Sequence, residues 1–222
     1  MSAATHNIRV TKPMNGISYH KLESQQMDQA RICRDYLRQK FNDPNKIIIE
    51  VNGLLETLIF RPETAERFEE ALKEIARYIG FNSQRPEADY RKAPDVLWEI
   101  GNRSYFVIEC KNGVITNTIN KHDCNQLNGS GEWFINTYDK TCSFTPILIH
   151  PSIKFEYAAS PKAETRIINE EKLNLLRKNI FDFIKSLCVE NRISDDKAIR
   201  ERLTQYKLTF DKFSQYYTIS FK

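Results

Sequence analysis

The stretch PDVLWEIGNRSYFVIECK, residues 94–111, decides the fold of this chain. Two runs rich in β-branched and aromatic residues, VLWEI and SYFVI, flank a Gly-Asn-Arg tripeptide whose composition is typical of a tight turn. The pattern predicts a β-hairpin with the tripeptide as its loop. In that register Ile100 faces Ser104 and Trp98 faces Phe106.

The same register predicts a charged cluster at the open end of the hairpin. Asp95 falls opposite Glu109, and Lys111 lies two residues further along the same face. Directly opposed residues of an antiparallel pair have Cβ atoms about 4.5–5.5 Å apart. Two carboxylates that close repel each other unless a cation lies between them, and a hard divalent cation with oxygen ligands is the usual solution.

Composition limits the class of protein. The chain has 222 residues, 41% hydrophobic and 28% charged, which is ordinary for a globular protein with one sizeable core or a core with an appended subdomain. The formal charge of +4 permits a nucleic-acid partner without requiring one.

The five cysteines are scattered without a CxxC pair, which argues against a disulfide framework or a structural zinc site and fits a reducing cytoplasm. The sequence contains no apolar run of membrane-spanning length and no signal-peptide core, so we expect a cytoplasmic protein that does not act at a membrane.

The N-terminal part predicts an arm or loop over residues 1–19, a helix over 20–41 and a short strand over 47–51. The apolar piece 54–60 fits either a helix or a strand. A helix over 62–80 follows, with Pro62 in its first turn and Gly80 as its C-cap. Its apolar stripe comprises Ala65, Phe68, Leu72, Ile75, Ala76 and Ile79.

Glu69 falls inside that stripe, where a carboxylate needs a partner. One interpretation is a boundary residue paired with Arg or Lys, and the other is a functional carboxylate. The neighbouring Glu70 is the residue with which it is most easily confused.

The second half alternates helices and strands. We expect a strand and then a loop over residues 81–91. A helix is expected over residues 118–138, which Gly129-Ser130-Gly131 weakens enough to allow a break or a kink. The remaining predicted elements are a strand at 146–150, helices at 169–188 and 195–206, and an edge strand at 216–221. This order predicts an α/β (α+β) fold, a mixed sheet flanked by helices.

These residues resemble the PD-(D/E)XK superfamily of restriction-endonuclease-like nucleases, of the type found with helicases and in phage defence. The resemblance rests on Pro94-Asp95, on Glu109-Cys110-Lys111, and on the flanking RFEEALKEIARYIGF and QLNGSGEWF. It covers residues 61–151 and implies a nuclease core of αβββαβ order there. Residues 1–60 then form an N-terminal helical extension, and residues 152–222 form a C-terminal helical extension packed on the core.

The resemblance implies a role for each residue of the cluster. Asp95, Glu109 and the backbone carbonyl of Cys110 would ligate Mg²⁺ or Mn²⁺, and Glu69 would complete the shell. Lys111 would orient the attacking water or stabilise charge that develops on the phosphate.

The resemblance also implies contacts to nucleic acid. Gln126 would touch a phosphate or the lysine, although a plain surface amide explains it equally well. Arg91, Lys92 and Lys121 are candidate phosphate contacts, with a solvated loop as the alternative for the first two. His122 and His150 are secondary candidates.

The function implied is a Mg²⁺-dependent nuclease, an endonuclease acting on DNA in preference to RNA. A helicase, ATPase or other defence-system protein is the expected partner, and cutting of both strands would favour a homodimer. The alternative is a catalytically silent module that binds nucleic acid, or an interaction subunit of a larger complex.

Overall fold

The structure, a computed structural model, describes residues 20–24, 28–90 and 93–221, and for residues 89 and 90 the backbone alone. Its helices are α1 (Gln29–Lys40), α2 (Pro44–Thr57), α3 (Ala65–Tyr78), α4 (Pro86–Tyr90), α5 (Lys121–Thr137), α6 (Glu170–Val189), α7 (Asp196–Gln205) and α8 (Phe210–Tyr217). Its strands are β1 (Asn82–Gln84), β2 (Val96–Gly101), β3 (Ser104–Cys110), β4 (Ser143–Ile149), β5 (Arg166–Ile168) and β6 (Ile219–Ser220). The predicted arm at 1–19 lies outside the described residues.

The six strands form one mixed sheet in the order β1-β2-β3-β4-β5-β6. The pairs β3–β4 and β4–β5 are parallel, and the other pairs are antiparallel. The predicted α/β class is therefore confirmed. The order α3-β1-β2-β3-α5-β4 also reproduces the predicted helix, three strands, helix and strand, with the short helix α4 as an addition where a loop was predicted.

The hairpin keeps most of its predicted register. Trp98 pairs with Phe106, but the predicted pair of Ile100 with Ser104 is wrong, because Gly101 takes that place across a bulge. The loop shortens to Asn102 and Arg103, with φ of 52° and 58°. Two successive positive φ values are typical of the type I′ turn, whose twist matches that of the flanking strands.

Both faces of the central strands are buried. On one face Trp98, Phe106 and Ile149 join a main core that also draws on α1, α2, α3, α6, α7 and α8. On the other face α5 covers two smaller clusters, one around Val107 and Phe134 and one around Ile119, Leu127, Leu148 and Ile167. Covering both faces explains why these strands read as near-continuous apolar runs.

The predicted strand at 47–51 is wrong, because these residues lie in α2. Asp43 caps the helix by accepting from the N–H of Asn45, and Pro44 occupies its first turn. Ile47, Val51 and Leu55 are buried at helical spacing, whereas Ile49 is exposed. The β-branched run Ile47–Ile49 suggested a strand, but burial on one helical face outweighs its weak local preference.

Other helix boundaries also differ from the prediction. The first helix begins only at Gln29, where Asp28 provides the N-cap. The helix predicted over 62–80 begins only at Ala65, because Glu63 has a positive φ. Ala65, predicted as part of the apolar stripe, is exposed. Gly80, with φ of 79°, ends it as predicted. The strand predicted over 216–221 is reduced to Ile219–Ser220, because α8 extends to Tyr217.

Helix α5 is continuous through residues 129–131, so the break that the glycines allow does not occur. Gly131 is buried against β4, and a Cβ built there would lie 3.2 Å from a ring carbon of Phe144. The glycine therefore allows a close approach of helix and strand. Of the helices in the described residues, none is both long and apolar enough to cross a membrane.

Candidate active site

The candidate site lies where β2 begins and β3 ends. Asp95, just before β2, is 6% exposed, and Glu109, in β3, is 3% exposed. The backbone N–H of Cys110 donates to Asp95 Oδ2 at 2.6 Å, which fixes this carboxylate beside the end of β3. The hairpin register thus brings the two predicted carboxylates to one place.

Lys111 joins them as predicted from strand alternation. Its Nζ lies 3.5 Å from Glu109 Oε2, and its side chain is mostly buried. Burial lowers the pKa of this lysine, but Glu109 and Asp95 outweigh it and the pKa is raised. Lys111 is therefore a cation in the folded protein.

Glu69 and Glu70 have different surroundings. The Glu69 side chain is 15% exposed, whereas that of Glu70 is 45% exposed and bonded to Lys73 at 2.6 Å. Burial raises the pKa of Glu69, and the charge of Asp95 adds to this rise despite an ion pair with Arg85. Glu69 is thus the helix carboxylate that faces the cluster, and its bond to Arg85 also satisfies the simpler boundary interpretation.

A further carboxylate, Glu87, was missed by sequence reasoning. It lies on α4 at the exposed rim of the site, and its side chain hydrogen-bonds the Asp95 carboxyl group. That bond, together with burial and the charge of Asp95, raises the pKa of Glu87 to about 8. No sequence pattern marks it, because α4 has too few residues to show a period.

Helix α5 contributes Ser130 instead of Gln126. Ser130 Oγ donates to Glu109 Oε1 at 2.5 Å, and the serine is buried. Gln126 is exposed on the same helix. A signal for Ser130 was available in the sequence, because its spacing from Leu127 and Phe134 places it on the buried face of the helix.

The same face of α5 carries Asp123, a second buried polar residue that sequence reasoning missed. Its backbone N–H donates to Asn120 Oδ1, and its Oδ2 accepts from Asn120 Nδ2, both at 2.9 Å. This reciprocal cap fixes the first turn of α5. The negative charge of Asp123 also contributes to the raised pKa of Lys111, so Asp123 belongs to the electrostatic surroundings of the site.

The remaining predicted residues lie near the site or outside the residues that the structure describes. Lys121 and His122 are exposed in the first turn of α5, where the Lys121 N–H donates to Glu156 Oε1 at 2.5 Å. Arg91 and Lys92 lie outside the described residues. The Cys110 thiol belongs to the main core, and burial raises its pKa well above the ordinary value, which excludes it as a ready nucleophile.

The chemistry of the donors suits a hard divalent cation. Glu69, Glu87, Asp95 and Glu109 offer carboxylate oxygens, and only Lys111 and Arg85 oppose their charge among the groups described above. Burial and the nearby Asp95 raise the pKa of Glu109 to about 7, although Ser130 and the Lys111 ammonium oppose this rise. Within the described ranges, no group of three or more His, Cys, Asp or Glu side chains is arranged as a metal site.

Comparisons of the chain with protein-family models, with curated proteins and with solved structures found no match.

Proposed function

We propose that this chain is a metal-dependent nuclease that hydrolyses phosphodiester bonds of DNA. The observation that carries the proposal is the convergence of Asp95, Glu109 and Lys111 at one strand end, with Glu69 facing them from α3. Buried carboxylates beside a lysine are expensive to maintain in a folded protein, and clusters of this kind are concentrated at functional sites.

Each side chain of the cluster has a separate role in this proposal. Asp95 and Glu109 would hold Mg²⁺ or Mn²⁺, with the Cys110 carbonyl as the further ligand that the resemblance implies. Such an ion supplies Lewis acidity and lowers the pKa of bound water. Lys111 is a cation, so it donates to a phosphate oxygen or to the attacking water and stabilises developing negative charge. Ser130 holds the Glu109 carboxylate in place.

The substrate and partners in this proposal are those that the resemblance to PD-(D/E)XK nucleases implies. DNA is preferred to RNA, internal cleavage is preferred to end trimming, and a helicase or defence-system protein and a second copy of the chain are the proposed partners. The exposed start of α5, with Lys121 and Gln126, is available for phosphate contacts.

A cleavage assay tests the proposal. Linear and circular DNA, single-stranded and double-stranded, and a matched RNA are incubated with the protein in Mg²⁺ and in EDTA. We expect nicking or linearisation of circular DNA in Mg²⁺ and no cleavage in EDTA. DNA binding without cleavage in either Mg²⁺ or Mn²⁺, and without calorimetric evidence of metal binding, would contradict it and support the silent binding module.

A further inference from the structure

Arg85 is a mostly buried arginine that joins α3 to the edge of the sheet beside the candidate site. Its Nη2 group donates to Glu69 Oε2, and its Nη1 group donates to Glu70 Oε2 at 3.4 Å. The Arg85 side chain is 16% exposed and the Glu69 side chain 15% exposed, so their ion pair is largely shielded from water. One guanidinium therefore contacts two neighbouring carboxylates of the same helix.

The backbone around Arg85 is fixed beside that of Asp95. The residue before Arg85 pairs with Leu97 of β2, and the N–H of Glu87, two residues after Arg85, donates to the Pro94 carbonyl at 3.2 Å. Asp95 lies between these two partners, Pro94 and Leu97, so the chain at Arg85 runs next to the chain at Asp95. The ion pair made by Arg85 thus connects α3 to the part of the sheet edge that carries Asp95.

Arg34 shows how another arginine of this chain satisfies two carboxylates. Its side chain is 21% exposed, its Nε and Nη2 groups donate to Asp35 Oδ1 at 2.9 and 2.8 Å, and its Nη1 group donates to Asp196 Oδ2 at 2.7 Å. The Arg85 Nε–H, by contrast, is buried and has no hydrogen-bond partner among the described residues. Because an unpaired buried donor is unfavourable, the contacts of Arg85 are not arranged for stability alone.

The two contacts of Arg85 are unequal. Glu70 is half exposed, its contact with Arg85 is long, and it also pairs with Lys73 at 2.6 Å. Glu69, the carboxylate that the proposed metal site uses, is therefore the main partner of Arg85. Buried ion pairs are often no more stabilising than apolar residues of similar volume, so a role in orienting Glu69 accounts for this pair better than stability does.

We propose that Arg85 is a positioning residue that holds the Glu69 carboxylate in the orientation in which it meets the divalent cation. The inference rests on the proposed function, because it requires the Mg²⁺ or Mn²⁺ of the nuclease. A carboxylate that is already oriented in the free protein loses less conformational entropy when the ion binds. Loss of Arg85 should therefore weaken metal binding, as loss of other groups that orient metal ligands does.

Two substitutions of Arg85 and one control test this assignment. Arg85→Gln removes the charge and keeps much of the length of the side chain. Arg85→Lys keeps a positive charge but has a single nitrogen, which can pair with Glu69 without the planar fork of the guanidinium. Arg34→Gln is the matched control, since Arg34 also bridges two carboxylates but joins α1 to α7.

The main measurement is the Kd for Mn²⁺ by calorimetry on the protein without DNA. The melting temperature checks folding, and the single-turnover cleavage rate in Mg²⁺ is a second readout. We expect Arg85→Gln to raise the Kd for Mn²⁺ roughly 10-fold or more, and Arg85→Lys to raise it less. Arg34→Gln should bind Mn²⁺ with the parent Kd even where its melting temperature falls.

A double variant distinguishes an effect through Glu69 from a general effect of charge. If Arg85 acts through Glu69, then adding Arg85→Gln to Glu69→Gln should not weaken Mn²⁺ binding beyond the loss in Glu69→Gln alone. Losses that multiply in the double variant would overturn the assignment. An Arg85→Gln variant that binds Mn²⁺ as tightly as the parent would also overturn it, and tighter binding would show that Arg85 competes with the cation.

Failure of this inference differs from failure of the proposed function. A parent protein that binds no Mn²⁺ and cleaves no DNA overturns both. A parent protein that binds Mn²⁺ and cleaves DNA, with the same Kd for Mn²⁺ in Arg85→Gln, overturns this inference alone.

Discussion

At the scale of single residues, Glu69 and Glu70 are adjacent in the chain but differ in what they face. Arg85 pairs with both carboxylates, but Glu69 is largely buried and the charge of Asp95 helps to raise its pKa, whereas Glu70 is half exposed and also pairs with Lys73. Helical geometry separates neighbouring side chains by about 100°, which accounts for the greater burial of Glu69.

This difference predicts unequal effects of two matched substitutions. Glu69→Gln should lower the rate of Mg²⁺-dependent cleavage roughly 10- to 100-fold, because it removes a carboxylate that supports the cluster. Glu70→Gln should leave the rate unchanged. Initial rates on one DNA substrate measure both, and equal losses in the two variants would contradict the assignment of Glu69.

Ser130 gives a second prediction at this scale. Ser130→Ala removes the donor to Glu109 Oε1, so the concentration of Mg²⁺ needed for half-maximal cleavage should rise roughly 10-fold or more. Stability should fall by only about 1 kcal/mol, because one hydrogen bond is lost. A Mg²⁺ titration of the cleavage rate is the measurement, and an unchanged midpoint would contradict a role for Ser130 in holding Glu109.

A site residue could be predicted from the sequence where its strand or helix is long enough to show a regular spacing of buried residues. Asp95, Glu109 and Lys111 follow from strand alternation around a recognisable turn, and the structure brings them together. Glu87 could not be predicted, because its helix spans only Pro86–Tyr90 and its partner is defined by tertiary contact. Asp123 was predictable in principle from the spacing of buried positions in α5.

At the scale of elements, α2 shows how local preference misleads. The run Ile47–Ile49 favours a strand by composition, yet Ile47, Val51 and Leu55 are buried at helical spacing and decide its state. The hairpin was predictable because alternation and turn chemistry agree there. Its bulge was not, since the choice between a two-residue and a three-residue loop depends on backbone twist.

The helical state of α2 predicts a stabilising substitution. Gly53 lies in the helix interior, and a Cβ added there meets no atom within 4 Å. Gly53→Ala should raise the free energy of unfolding by about 0.5–1 kcal/mol, which urea unfolding measures. A decrease in that free energy would contradict the helix.

Gly80→Ala is the opposite control for that experiment. Gly80 has φ of 79°, and a Cβ there would lie 2.1 Å from the Gln29 carbonyl oxygen. The left-handed backbone alone costs about 1–2 kcal/mol, and the clash adds to it, so this variant should be clearly destabilised.

At the scale of the whole molecule, one main core contains residues from all three regions distinguished in the sequence, 1–60, 61–151 and 152–222. α1 packs against α3 and α7, and α2 packs against α3 and α6. Leu37, Ile47 and Val51, from the region before residue 61, are fully buried. The region after residue 151 supplies β5 and β6 as well as helices, so it extends the sheet of the predicted core.

This shared core predicts the outcome of a truncation. A fragment of residues 61–222 loses several buried aliphatic side chains worth about 1.5–3 kcal/mol each, against a total stability of about 5–15 kcal/mol. We expect no cooperative unfolding transition by circular dichroism in urea. A fragment of residues 20–222 is the control and retains every buried residue described. A sharp transition in residues 61–222 would contradict a shared core.

The central claim is that Asp95, Glu109 and Lys111 perform metal-dependent phosphodiester hydrolysis. The most direct measurement is the rate of DNA cleavage in Mg²⁺ by Asp95→Ala and Lys111→Ala beside the parent. Lys178→Ala is the control, because this lysine is exposed on α6. We expect both site variants to lose activity by roughly 10²–10³-fold or more with the fold intact, and the control to match the parent. Cleavage by both site variants at the parent rate would contradict the claim.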